Sequence, residues 1–139
     1  VIYSRVVASV PIEREGVGYF FKLVATVILA TVVSFLCFFI KPTNVDPRFG
    51  LGVGGIFAVV ASNFVLSSML PDTPEITLCE AIYYLTYGCI FFVILESVWS
   101  LRLYEQGMER KSQLLDRTCG IVVPIMYLCI IGYILHAYT

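Results

Sequence analysis

The sequence predicts an all-α membrane fold, a bundle of four transmembrane helices, and three observations predict it. The chain of 139 residues is 59% hydrophobic and only 14% charged, against about 25% charged residues in a soluble domain. Its apolar residues fall into four runs, each long enough for the roughly 20 residues that a bilayer crossing takes. Short polar connections separate the runs, and the basic residues concentrate in alternate connections. The same composition excludes other classes. The length allows one domain. A net charge of -1 with no basic run leaves no footprint for nucleic acid.

The first fifteen residues, "VIYSRVVASVPIERE", differ in kind from the rest. They carry β-branched residues without a helical stripe and read as a strand followed by a charged link. A lone strand needs a sheet to join. Residues 1–15 are therefore expected to be the end strand of a missing extracellular domain, and residues 16–139 the membrane domain.

The first helix is expected at about residues 18–40. It is no signal peptide, because the apolar run is too long and starts too far in. The second is expected at 47–70, bounded by prolines. The third is expected at 74–104, where Thr73 precedes Pro74 as a cap residue before a first-turn proline. Thr77 and Glu80 offer an alternative start as a capping box. The fourth is expected at 116–138, after a link of about a dozen residues from Glu105 to Asp116. Pro124 inside it is expected to kink or loosen the helix, which membrane helices tolerate.

Lys41 and Arg48 lie around the first connection, and Arg102, Arg110, Lys111 and Arg117 around the third. The second connection holds only the acids Asp72 and Glu75. The positive-inside rule then puts the first and third connections in the cytoplasm and both termini on the extracellular or periplasmic side of the cell membrane.

The second helix opens "DPRFGLGVGGIFAVV", with glycines at 50, 52, 54 and 55. Each disfavours a helix interior by about 1 kcal/mol relative to Ala. On a wheel of about 100° per residue, Gly54, Phe57, Ala61, Phe64 and Ser68 fall within about 40° of Gly50, with Val65 at the edge. Two readings of this stripe stay open. Small residues at Gly50-x-x-x-Gly54 let helix backbones approach. Alternatively, symmetric copies surround an axis, the small residues keep one end of a pore wide, and rings of Phe57 or Phe64 close it by dewetting. Asp46 has two readings as well: an acidic ring that favours cations at a pore mouth, or a carboxylate beside Arg48 at a helix N-terminus. Ser62 and Asn63 lie off the stripe, where they can hydrogen-bond between helices.

Little else carries chemistry. The five cysteines lie apart with no C-x-x-C, and there is one histidine, so neither a metal site nor a cofactor is expected. The spans offer no polar cluster for catalysis, so no catalytic residue is assigned and no enzyme is expected. Lys22 is expected to snorkel to the outer surface. Glu96 is expected to pair near the inner surface; its other reading is lining a lateral water-filled path.

The residues from Asp46 to Val98, "DPRFGLGVGGIFAVVASNFVLSSMLPDTPEITLCEAIYYLTYGCIFFVILESV", resemble the second and third transmembrane segments of pentameric ligand-gated ion channels, the Cys-loop receptor superfamily. The resemblance extends in order over the chain. Arg14 looks like the arginine before the first helix, and Arg48 like the basic residue that opens the second. "LGVGG" stands where the family has Leu-Gly-Ile-Thr-Thr, and "LPDTP" resembles its Leu-Pro-Lys-Thr-Pro loop. Glu96 matches the acid near the inner end of the third helix. The short link before the fourth helix looks prokaryotic.

The resemblance implies a homopentamer of identical subunits in the lipid bilayer, with the second helix lining the pore. Asp46, Gly50, Gly54, Phe57, Ala61, Phe64, Val65 and Ser68 would line it, with a hydrophobic gate at Phe57 and monovalent or divalent cations permeating. Arg14, Pro71, Thr73 and Pro74 would couple gating to the extracellular domain, which would bind the agonist. Three departures stand out. Thr26 replaces the usual proline of the first helix, Gly54 and Phe57 replace pore-facing threonine and leucine, and the inner acid is displaced by one residue to Asp46. The alternative is a non-conducting four-helix assembly or signalling module.

Overall fold

The computed structural model describes residues 16–69 and 77–138. The expected end strand at 1–15 with Arg14, and the loop residues Pro71, Thr73 and Pro74, lie outside them. The described residues form four long helices with short turns between them. Helix α1 spans Gly16–Phe35 and tightens into a 3₁₀ segment, Leu36–Phe39. Helices α2, α3 and α4 span Val45–Met69, Leu78–Glu105 and Glu109–Tyr138. All four spans are long and apolar enough to cross a membrane.

The helix ends correct the expected bounds. Helix α2 begins at Val45, so Pro47 falls within the first turn, where a missing N–H breaks no intrahelical bond. Of the two candidate starts for α3, the capping box sets it. Thr77 is extended, and its hydroxyl accepts from the Glu80 N–H at 3.4 Å, while Glu80 Oε2 accepts from the Thr77 N–H at 2.9 Å. The helix thus starts at Leu78 rather than Pro74.

Helix α4 begins at Glu109 rather than Asp116, and the expected long link shrinks to a turn at Gln106, Gly107 and Met108. Gly107 takes φ +79° there, a left-handed conformation that suits a residue without Cβ. A helix of 30 residues is about 45 Å long, more than the roughly 30 Å of bilayer hydrocarbon. Its charged first turns, "ERKSQLLD", therefore extend the helix past the apolar zone. The helix continues through Pro124.

Helix α2 packs on α1 and α3, whereas α4 packs on α3 and the 3₁₀ segment. Helices α2 and α4 therefore flank the α1–α3 pair on opposite sides. Two apolar clusters hold the bundle. Val27, Val59, Ile82 and Ile90 centre the one among α1, α2 and α3. Phe35, Phe38, Val93 and Tyr127 centre the one that seats α4. Among the described residues the buried side-chain polar atoms find partners, as groups shielded from water tend to, with Glu96 Oε1 the exception. Ser62 Oγ and Tyr83 Oη share a hydrogen bond of 2.7 Å between α2 and α3, and Ser100 Oγ and Ser112 Oγ one of 2.8 Å between α3 and α4. Tyr127 Oη of α4 lies 2.8 Å from Thr86 Oγ1 and 3.3 Å from Thr31 Oγ1, which joins three helices at one phenol.

Candidate functional site

Helix α2 has two faces of different character. Arg48, Gly52, Gly55, Val59, Ser62 and Leu66 are buried against the rest of the bundle. A Cβ at Gly52 would meet Ile94 Cγ1 at 2.8 Å, and one at Gly55 would collide with the Ser34 side chain. At these two glycines α2 packs directly against α3 and α1. Their lack of a side chain is a packing requirement.

The opposite face carries Asp46, Gly50, Gly54, Phe57, Ala61, Phe64, Val65 and Ser68, and every one is exposed. Phe57 is 70% and Phe64 77% exposed, two aromatic rings two turns apart on one line, about 10 Å along the axis. A Cβ at Gly50 or Gly54 would meet nothing within 4 Å. Packing within the chain therefore gives no reason for glycine at these two positions. Val53 and Val60 are also exposed beside the stripe, so the uncovered surface is about half the helix.

The N-terminal end of α2 is anchored by Arg48, which is 1% exposed. An arginine has five N–H donors in a planar fork, and here all five are used. Nε donates to Ser97 Oγ at 3.1 Å. Nη1 donates to the Ile40 carbonyl at 3.2 Å and to Asp116 Oδ2 at 3.0 Å. Nη2 donates to Glu96 Oε2 at 3.1 Å and to Asp116 Oδ1 at 2.7 Å. The two-point fork on Asp116 is the strongest geometry available to this pair. The Arg48 carbonyl accepts from Cys37 Sγ at 3.0 Å. One guanidinium thus joins α2, α3, α4 and the end of the 3₁₀ segment.

This cluster bears on three expectations. Glu96 pairs as expected, and its partner is Arg48. Arg48 does not pair with Asp46, because its donors are all engaged on the far side of the helix. Asp46 lies exposed in the first turn of α2 and makes no ion pair among the described residues. Asp116 is the participant that the sequence reading placed at a helix boundary without a role. The signal for it was available: Ser112, Asp116, Tyr127 and Ile131 are the buried residues of α4, spaced by whole turns on one face. A lone acid on that face, close to a run of bases, needed a buried cation.

No protein-family model matches the chain. The chain is similar to a proton-gated ion channel of Gloeobacter violaceus, with 22% identity over 125 residues. The aligned part covers 90% of this chain and 34% of that relative, so the chain spans about a third of the length of the curated relative it matches.

Proposed function

We propose that this chain is the membrane part of a pentameric ligand-gated ion channel, in which five copies of α2 surround a cation-conducting pore. The observation that carries the reading is the uncovered face of α2. A helix flanked by its own bundle on one side only, with two glycines and two stacked aromatics on the other, leaves a surface that identical copies can share around an axis. Glycines at 50 and 54 keep the inner end wide, Phe57 forms the gate, and Val53 and Val60 sit at the flanks where neighbouring copies of α2 meet. The similarity to a proton-gated channel over nearly the whole chain supports the same reading.

In this reading Asp46 biases the inner mouth toward cations. Arg48, drawn into the bundle, contributes no exposed charge against it. Pro71, Thr73 and Pro74 with Arg14 pass motion from an extracellular domain to α2. Subunit counting by mass measurement in detergent and lipid tests the assembly, and planar-bilayer recording tests conduction. Five copies and ion currents are expected. Any other count sinks the pore geometry, and a pentamer that never conducts favours an assembly or signalling module.

A further inference from the structure

We propose that Glu96 and Asp116 are positioning residues for ion selectivity. Their carboxylates, on α3 and α4, hold the Arg48 charge inside the bundle and so keep it from offsetting Asp46 at the mouth of the pore. This inference deepens the pore reading and rests on it. The selectivity that Asp46 expresses then depends on two buried residues behind the pore face.

Asp46 and Arg48 stand two residues apart in the first turn of α2, about 3 Å along its axis. Salt at about 0.1 M screens charges only beyond roughly 10 Å. A guanidinium free to leave the bundle would therefore cancel the carboxylate beside it. Its partners decide where it stays. The cluster sets two carboxylates against one cation, and Glu96 Oε1 is an acceptor left over without a partner. The surplus of charge is negative, so the guanidinium keeps a counter-charge when either carboxylate is lost. When both are lost, only the neutral Ser97 hydroxyl and Ile40 carbonyl remain from the native set.

A buried cation without a counter-charge is strongly disfavoured. Arginine escapes that state readily, because its stem stays packed on apolar surface while its head reaches water. From the first turn of α2, the water within reach lies at the N-terminal end of the helix, where Asp46 is exposed. The fork on Asp116 also gives α4 a hold on the pore helix. Among the described residues, the hydrogen bonds between α2 and α4 both run from Arg48 to Asp116. The helix that flanks the bundle opposite α2 thus acts on the mouth through one guanidinium.

The test is the reversal potential of the assembled channel in planar bilayers under a salt gradient. The double variant Glu96→Gln with Asp116→Asn should move it from the cation side to near zero. Asp116→Asn alone should move it part of the way, and further than Glu96→Gln alone, because Asp116 accepts two of the Arg48 bonds. Asp116→Glu, which keeps the charge, should leave it in place. Adding Arg48→Gln to the double variant should restore the native value, since no cation is left to release. An unchanged potential in the double variant overturns the inference. So does a shift that persists with Arg48→Gln, because the two carboxylates would then act on permeating ions by their own charge. If the double variant does not assemble, Asp116→Asn with and without Arg48→Gln decides by the same criterion. A native channel without cation preference overturns the Asp46 reading itself, and is seen before any variant is made.

Discussion

At the scale of the residue, Arg48 and Phe57 are opposites on one helix. Arg48 is fully enclosed and saturated with partners, and Phe57 is exposed and touches none of the core. Their substitutions should therefore fail in different assays. Removing one partner of a buried ion pair leaves a bare charge and costs about 3–5 kcal/mol. Asp116→Ala should lower the unfolding free energy of the detergent-solubilised chain by up to that amount, because Asp116 accepts two of the five Arg48 bonds and Glu96 alone then faces the guanidinium. Glu96→Gln should cost about 1 kcal/mol or less, since the amide oxygen can still accept the single bond that Glu96 Oε2 holds. Equal losses for the two would show that the fork to Asp116 has no special weight. Phe57→Ala should leave the unfolding transition in place and raise resting conductance or slow closing of the channel. Unchanged currents from a well-expressed pentamer would move the gate to Phe64. How the sequence announced these residues also differs. The exposed face that carries Phe57 was legible from helical spacing, because its stripe is local. Asp116 was not, because its partner lies 68 residues away and no periodic pattern links the two.

At the scale of the element, the two kinds of glycine in α2 make a paired test. Gly55 meets Ser34 and Gly54 meets open space. Gly54→Ala should hold or raise stability, by up to about 1 kcal/mol of helix propensity, while lowering single-channel conductance if, as proposed, five methyl groups then enter a pore. Gly55→Ala should destabilise the chain by pushing α1 and α2 apart, an overpacking effect of about 1–3 kcal/mol. Thermal unfolding of both variants alongside their unitary currents separates the effects; a Gly54→Ala channel with native conductance would remove position 54 from the pore wall. The helices themselves were largely legible, since apolar runs of this length admit few alternatives in a membrane. Their ends were harder. Thr73 and Thr77 both fit as caps, and only the reciprocal bonds with Glu80 decide between them. The start of α4 was misread because its charged first turns look like a loop when hydrophobicity alone marks a helix. The residues of those turns are good helix formers, and Ser112 and Asp116 fasten the same turns to α3 and α2.

At the scale of the whole molecule, the side on which each charge lies decides the field at the N-terminal end of α2, the mouth of the proposed pore. Arg48 faces the bundle and Asp46 faces away, so an assembly around α2 would present a ring of carboxylates with the arginines withdrawn behind it. A ring of like charges between low-dielectric walls focuses its field on the opening. The reversal potential under a salt gradient should lie toward the cation equilibrium value and move toward zero in Asp46→Asn. A native value at the chloride potential would end the cation assignment. The withdrawn arginine has a consequence in time as well. A chain synthesised from its N-terminus delivers Arg48 to the membrane before Glu96 exists and long before Asp116 does. Over the 68 residues between Arg48 and Asp116 the guanidinium lacks its strongest acceptor, and α4, the last of the four helices in chain order, is the one that supplies it. A nascent chain halted before Asp116 is therefore chemically marked, with a cation at membrane depth that no completed chain displays.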